Sequence, residues 1–255
     1  MKRLTVLAKG TAVALFWVLV WWIVAAALQK PLLFPTPLRV LITLWSLLGT
    51  AEFWLCAAVT LGRIAIGVLV AFAIGALLAS LTVRFSMLDT LFAPLLSVVK
   101  STPVSSFVLL LLIFIGRDVL PSIICALIVL PVVWANVSEG IKGTDKSLLE
   151  MARVFRFSKV KTIRTVYLPT VMPYVLSACR SSLGLAWKAG IAAEVLSVPG
   201  TSIGKHLFEA KLYFETEELF AWTLAVVVFS LLIEQVVIRA MGKLSFARSM
   251  QGVRP

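Results

Sequence analysis

Apolar residues run in long blocks along this chain, and polar residues fall between the blocks instead of alternating within them. Neither the two-residue period of a half-buried strand nor the narrow stripe of a soluble amphipathic helix dominates. About 20 mostly apolar residues are needed for one helix to cross a bilayer. Six blocks approach or exceed that length: Thr11–Leu28, Ala57–Leu81, Leu91–Ile115, Pro121–Val137, Val171–Leu196 and Leu219–Ala240. Backbone polar groups cannot be left unpaired in lipid, so each block is predicted to be a helix. The expected fold class is an all-α polytopic membrane helix bundle of about six transmembrane helices. It forms one domain over residues 1–255, with its core at 57–240.

The third block is not uniform. Pro94 and Pro103 interrupt it, and Lys100, Ser101 and Thr102 sit inside it. Proline removes a helical hydrogen bond and clashes with the preceding turn, so this block reads as a helix, a break and a second helix. The Pro-rich stretch from Pro31 to Pro37 leads into a helical pattern ending at Leu48, expected outside the membrane. Small residues recur at four-residue spacing as Ala71, Gly75 and Ala79 in the second block and Ala178, Ser182, Ala186 and Gly190 in the fifth. Such rows let helices approach closely in lipid and predict helix–helix seams.

Composition removes the soluble alternative. Hydrophobic residues make up 60% of the 255 and charged residues 14%, against about 45–50% and about 25% in soluble domains. The net charge of +12 does not indicate nucleic acid, because the basic residues cluster between apolar blocks with no stripe of interleaved aromatics. That clustering is the positive-inside pattern. With both termini in the cytoplasm, 15 Lys and Arg lie inside and 5 outside (Lys30, Arg39, Arg117, Lys205 and Lys211). Trp21, Trp22, Tyr174 and Trp222 near block ends suit an aromatic belt. The basic start could pass for a signal peptide, but Thr11–Leu28 exceeds an h-region of roughly 7–15 residues and reads as a retained helix.

Candidate chemistry is sparse. Cys56, Cys125 and Cys179 are far apart and show no metal spacing. His206 has no partner at ligand spacing, so no metal, cofactor or catalytic group is expected. The run Gly200-Thr201-Ser202-Ile203-Gly204-Lys205-His206 imitates a phosphate loop. It has one residue too few between its glycines, and His where Ser or Thr must follow Lys.

The loop at 139–170 carries the most information. Ser147-Leu148-Leu149-Glu150 matches a capping box, predicting a helix from Leu148 to about Phe157 with Leu149, Met151, Ala152 and Phe155 apolar. Glu150, three positions after Ser147, is expected to cap the Ser147 backbone N–H. This helix is too short to span a membrane and suits docking into a partner's groove or lying on the membrane surface.

This loop resembles the signature of permease subunits of binding-protein-dependent ABC importers. That signature reads Glu-Ala-Ala, three residues, Gly, nine residues, Ile, one residue, Leu-Pro. Here Glu150-Met151-Ala152 and Val166-Tyr167-Leu168-Pro169 stand at the same spacing, with Arg156 at the glycine position. The stretches Leu61–Gly67 and Ala186–Gly204 are also similar to the family, especially its nitrate, sulfonate and bicarbonate (taurine) branch. The resemblance covers roughly residues 35 to 242.

It implies a type I importer-permease (MetI-like) fold and a non-enzymatic subunit that needs no cofactor. Two copies, a homodimer, would enclose a path in a bacterial inner membrane. Cytoplasmic ATPase subunits would hold the loop through Ser147, Glu150, Met151, Ala152, Phe155, Arg156, Leu168 and Pro169, and hydrolyse ATP on their own chains. An external binding protein would deliver the cargo.

Charges inside spans are functional candidates. Arg63, Lys188, Glu194 and Glu234 lie near block ends, where snorkelling also serves them. Arg180 is deeper, and at 100° per residue it shares a face with Gly184, Trp187, Ile191 and Glu194. Path candidates are therefore Lys100, Ser101, Thr102, Arg180, Trp187 and Lys188. The alternative for Arg180 is an internal carboxylate or helix end. The positive balance of the span charges favours a small anion; an uncharged or cationic metabolite such as a vitamin precursor is the alternative cargo. An ATP-independent transporter and a non-transporting scaffold are competing readings.

Overall fold

The computed structural model describes the backbone of residues 2–30 and 32–251 and the side chains of residues 11–30, 32–237 and 239. The side chains of Lys2, Arg3, Lys9, Lys243, Arg248 and Arg254, counted above as cytoplasmic, lie outside it. The described residues form α1 (Lys2–Leu28), α2 (Pro37–Leu48), α3 (Ala51–Arg84), α4 (Ser86–Ser101), α5 (Val104–Leu111), α6 (Leu120–Lys142), α7 (Lys146–Val154), α8 (Lys159–Thr162), a π turn (Ile163–Tyr167), α9 (Leu168–Ser197), α10 (Ile203–Leu212) and α11 (Thr216–Gln251).

Helices occupy all six predicted blocks. Among the described residues, four helices are long and apolar enough to cross a membrane: Thr11–Leu28, Ala51–Arg84, Leu120–Lys142 and Thr216–Val237. The third block is not one straight crossing, because α4 and α5 meet at 102° around Thr102 and Pro103. The hydroxyls before the break fold back on their own helix: Thr102 Oγ1 donates to the Val98 carbonyl at 2.8 Å and Ser101 Oγ to that of Ser97 at 3.1 Å. The fifth block becomes α9, 30 residues long, about 45 Å at 1.5 Å per residue. It carries Arg180, Lys188 and Glu194, and α3, α6, α10 and α11 pack around it.

The core is the α3–α6–α9 group, and it closes through small residues as predicted. Ala71, Gly75 and Ala79 are buried on α3; Ala178, Ser182, Ala186 and Gly190 are buried on α9. A methyl group at Gly190 would stand 2.6 Å from Ile64 Cγ1 and 2.9 Å from Cys125 Sγ. Without hydrophobic drive between helices in lipid, this close van der Waals fit holds them together. Cys125 adds a thiol donor to the Ala186 carbonyl at 3.3 Å. α5 turns across this group, with Val108 packed against Leu120, Ile124, Ala189 and Ala193.

Trp222 does not belong to an aromatic belt. It is fully buried, with ring centroids 4.8 Å from both Phe53 and His206. Tyr174 is likewise turned inward, against Gly140.

Candidate coupling loop and transport core

The loop helix α7 is capped differently from the sequence expectation. Asp145, not Ser147, is the N-cap, and its carboxylate accepts the Ser147 backbone N–H at 2.8 Å. Ser147 lies inside the first turn. Glu150 is the fifth helical residue and is exposed, out of reach of the capping position. Aspartate and serine cap about equally well; Asp145 is the residue at which the extended backbone enters the helix, and its carboxylate also places negative charge at the positive helix end. The Ser147 backbone N–H, then its hydroxyl, hold the Asp145 carboxyl below the usual carboxylate range.

The helix also ends sooner than predicted, at Val154. The Phe157 N–H donates to the Ala152 carbonyl at 2.8 Å and the Arg156 N–H to that of Arg153 at 3.0 Å. This is a Schellman stop, whose post-cap residue takes the left-handed conformation and favours glycine. Arg156 occupies that position with φ 51°. The site that resembles a glycine position is thus a glycine-type backbone held by arginine.

Ala152 is buried, whereas Val154 and Phe155 stay 79% and 69% exposed and Met151 is half-exposed. Lys161 Nζ sits 3.9 Å from the Phe157 ring, within cation–π range. Ser158 caps α8, and the π turn then feeds into Leu168 and Pro169 at the start of α9. Pro169 is tolerated there because first-turn N–H groups have no helical partner. The loop is thus a ridge with an exposed apolar side, tied at its base where Gly140 receives the Tyr174 ring.

The opposite end of the core holds a polar network whose partners the sequence left unpaired. Glu194 is almost wholly buried. Its carboxylate accepts the Thr60 hydroxyl at 2.9 Å, the Gly204 N–H at 3.2 Å and the Arg63 guanidinium at 3.3 Å. Arg63 also donates to the Thr201 carbonyl at 2.6 Å and to Asp118 at 2.8 Å. Asp118 accepts the Gly200 N–H at 3.2 Å. Arg63 and Glu194 therefore do not snorkel; they pair internally and join α3, α9, α10 and the turn before α6. The glycines of the apparent phosphate loop give their N–H groups to these carboxylates. A side chain at Gly204 would collide with Glu194 Cβ and the Val195 nitrogen, so glycine is needed for the approach.

The predicted path residues divide. Arg180 and Lys188 lie with Ser181 and Gly184 on the exposed face of α9, and among the described residues neither cation has a carboxylate partner. Lys100 and Ser101 are exposed and Thr102 half-buried at the α4–α5 bend. Trp187, unlike them, is buried: its indole N–H donates to the Val226 carbonyl at 3.1 Å, and its ring meets Phe229 at 6.5 Å. Ile191 and Glu194 are buried as well, so the face predicted from steps of seven does not survive packing.

Residues 71–246 match the family model described as "Binding-protein-dependent transport system inner membrane component". The chain belongs to this family. It is the permease subunit of an ABC importer, not an enzyme, and the ATPase resides on a separate chain. Among its relatives is the putative aliphatic sulfonates transport permease protein SsuC of Bacillus subtilis, 26% identical over 84% of this chain and 78% of that one. The nitrate import permease protein NrtB of Synechococcus elongatus is 28% identical over 75% and 72% of the two chains. The bicarbonate transport system permease protein CmpB of the same species is 29% identical over 62% and 57%. In fold, the chain is similar to the MetNI methionine ABC transporter in an inward-facing conformation, with a TM-score of 0.60, 15% identity, and 73% and 94% of the two chains covered. A bacterial transporter involved in alginate import gives a TM-score of 0.63 at 14% identity over 96% of each chain.

Proposed function

We propose that this permease carries a small oxoanion of the nitrate, sulfonate or bicarbonate kind across a bacterial inner membrane. The observation that carries the reading is the exposed face of α9, where Arg180 and Lys188 have no carboxylate partner among the described residues. A cation in a membrane helix is costly unless it faces water, a partner or a ligand. Two such faces in a homodimer would line a positive path, with Lys100, Ser101 and Thr102 at its bend. The sulfonate, nitrate and bicarbonate permeases among the relatives support this cargo class over an uncharged or cationic metabolite.

The whole chain acts as one permease domain with both termini cytoplasmic, the orientation favoured by the 15 to 5 basic bias. Loop 139–170 then meets the ATPase through Ser147, Glu150, Met151 and Phe155. Ala152 packs on the buried side of the helix, Arg156 ends it, and Leu168 and Pro169 join the loop to α9. An external binding protein delivers cargo at the Arg63–Glu194 end.

The test is uptake of nitrate, an alkanesulfonate and bicarbonate by the full importer in vesicles. Arg180→Gln and Lys188→Gln are expected to lower uptake of one of these anions while leaving assembly with the ATPase intact. Transport of only uncharged or cationic solutes, indifferent to both substitutions, would overturn the reading.

A further inference from the structure

α2 is too short to cross a bilayer: 12 residues give about 18 Å. Its surface has three sectors. Pro37 and Val40 are buried, and Leu44, Leu47 and Leu48 pack against the core beside Phe53 and Trp222. Leu38, Leu41, Ile42 and Trp45, at helical spacings of three and four, form a second sector at least 54% exposed, with Trp45 at 80%. Arg39 and Ser46 make a narrow polar flank between the two.

Both ends of the helix are polar. At the start, Arg39 pairs with Glu217 at 3.0 Å. At the end, Gly49 and Thr50 form an exposed turn, and Glu52 in the first turn of α3 meets His206 at 3.6 Å. The chain enters α2 from a membrane-crossing helix, and Trp21 of that helix donates to the Pro35 carbonyl at 3.1 Å. The exposed apolar sector of α2 thus follows closely in the chain on α1, itself apolar and exposed along most of its length.

We infer that α2 lies in the plane of the membrane interface, with Leu38, Leu41, Ile42 and Trp45 in the acyl region of the outer leaflet. A short helix with polar ends, an outward apolar face and an exposed tryptophan fits that layer. Its single charge is neutralised by Glu217, so apolar burial holds it and anionic lipid is not required. The segment expected to stand outside the membrane is instead a lipid anchor beside the first turns of α11. The side of the membrane follows from the orientation proposed above; the lipid contact does not.

The test places nitroxide labels one at a time at Leu38, Leu41, Ile42, Trp45, Arg39 and Ser46 by cysteine substitution. The full importer is reconstituted in neutral phosphatidylcholine vesicles. Collision with oxygen should exceed collision with a water-soluble nickel chelate at Leu38, Leu41, Ile42 and Trp45, and the order should reverse at Arg39 and Ser46. Dominant nickel collision at all six positions would place α2 in water and overturn the inference. Low collision with both reagents at the four apolar positions would show them covered by protein, such as the second copy, and would equally overturn it. Loss of anion transport in the uptake experiment would leave this result unchanged.

Discussion

Arg63 of α3 reaches Glu194 of α9 at 3.3 Å, a pair separated by 131 positions in the chain. Removing one partner of a buried ion pair leaves an uncompensated charge and costs about 3–5 kcal/mol, whereas replacing both is milder. Arg63→Gln should therefore lower the melting temperature of the detergent-solubilised permease sharply. Arg63→Gln combined with Glu194→Gln should recover part of that loss. A double variant no more stable than the single one would mean that the two charges do not depend on each other.

Gly204→Ala should be among the most damaging small substitutions, because the new methyl would collide with Glu194 Cβ and the Val195 nitrogen. Overpacking typically costs about 1–3 kcal/mol. Gly62→Ala is the control, since nothing lies within 4 Å of the added carbon. Equal yields of folded protein from the two variants would refute the close approach of α10 to α9.

Arg156→Gly should improve the loop. A non-glycine residue in the left-handed conformation costs roughly 1–2 kcal/mol, and Arg156 has φ 51°. The glycine variant is expected to match or exceed wild-type uptake with no loss of cargo-stimulated ATPase activity. Arg156→Val, β-branched at the same φ, should reduce both. If the valine variant transports normally, the left-handed stop is not needed for coupling.

Asp145→Ala should fray α7 and reduce uptake without reducing membrane insertion, and Asp145→Asn should restore it, because asparagine caps as well as aspartate. Glu150→Ala should leave the helix intact, since Glu150 is not a cap; any uptake loss there would report contact with the ATPase. The Asp145 carboxyl is held below its usual range, so its stabilisation is present above the unfolded value of 3.8. It is lost as pH falls through the lower folded value. Acid titration of loop protection from hydrogen exchange should show this loss in wild type and not in Asp145→Asn.

Direct crosslinking tests the coupling contact itself. Met151 and Phe155 are exposed, and Ala152 is buried. Cysteines at Met151 or Phe155 should crosslink to the ATPase in the assembled importer, and one at Ala152 should not. Crosslinking from Ala152 alone would mean that a different face of α7 meets the partner.

By itself, the sequence determined what depends on near neighbours. Long apolar runs specify helices because lipid offers no partner for the backbone. Pro103 specifies a break because it lacks an N–H, and the spacing from Glu150 to Pro169 located the loop that identifies the family. The small-residue rows on α3 and α9 were legible for the same local reason. The choice between Asp145 and Ser147 as cap was not, since both can accept an N–H and only the backbone path into α7 separates them. Tertiary structure alone decided which charges meet. Arg63 and Glu194 each look like snorkelling residues until α3 and α9 are packed together. Arg180 and Trp187 share a helical face by periodicity, yet α11 covers Trp187 through Val226 and Phe229 and leaves Arg180 exposed. Helical period fixes direction around an axis, but burial depends on what crosses that axis at each height, and that is a property of the assembled bundle.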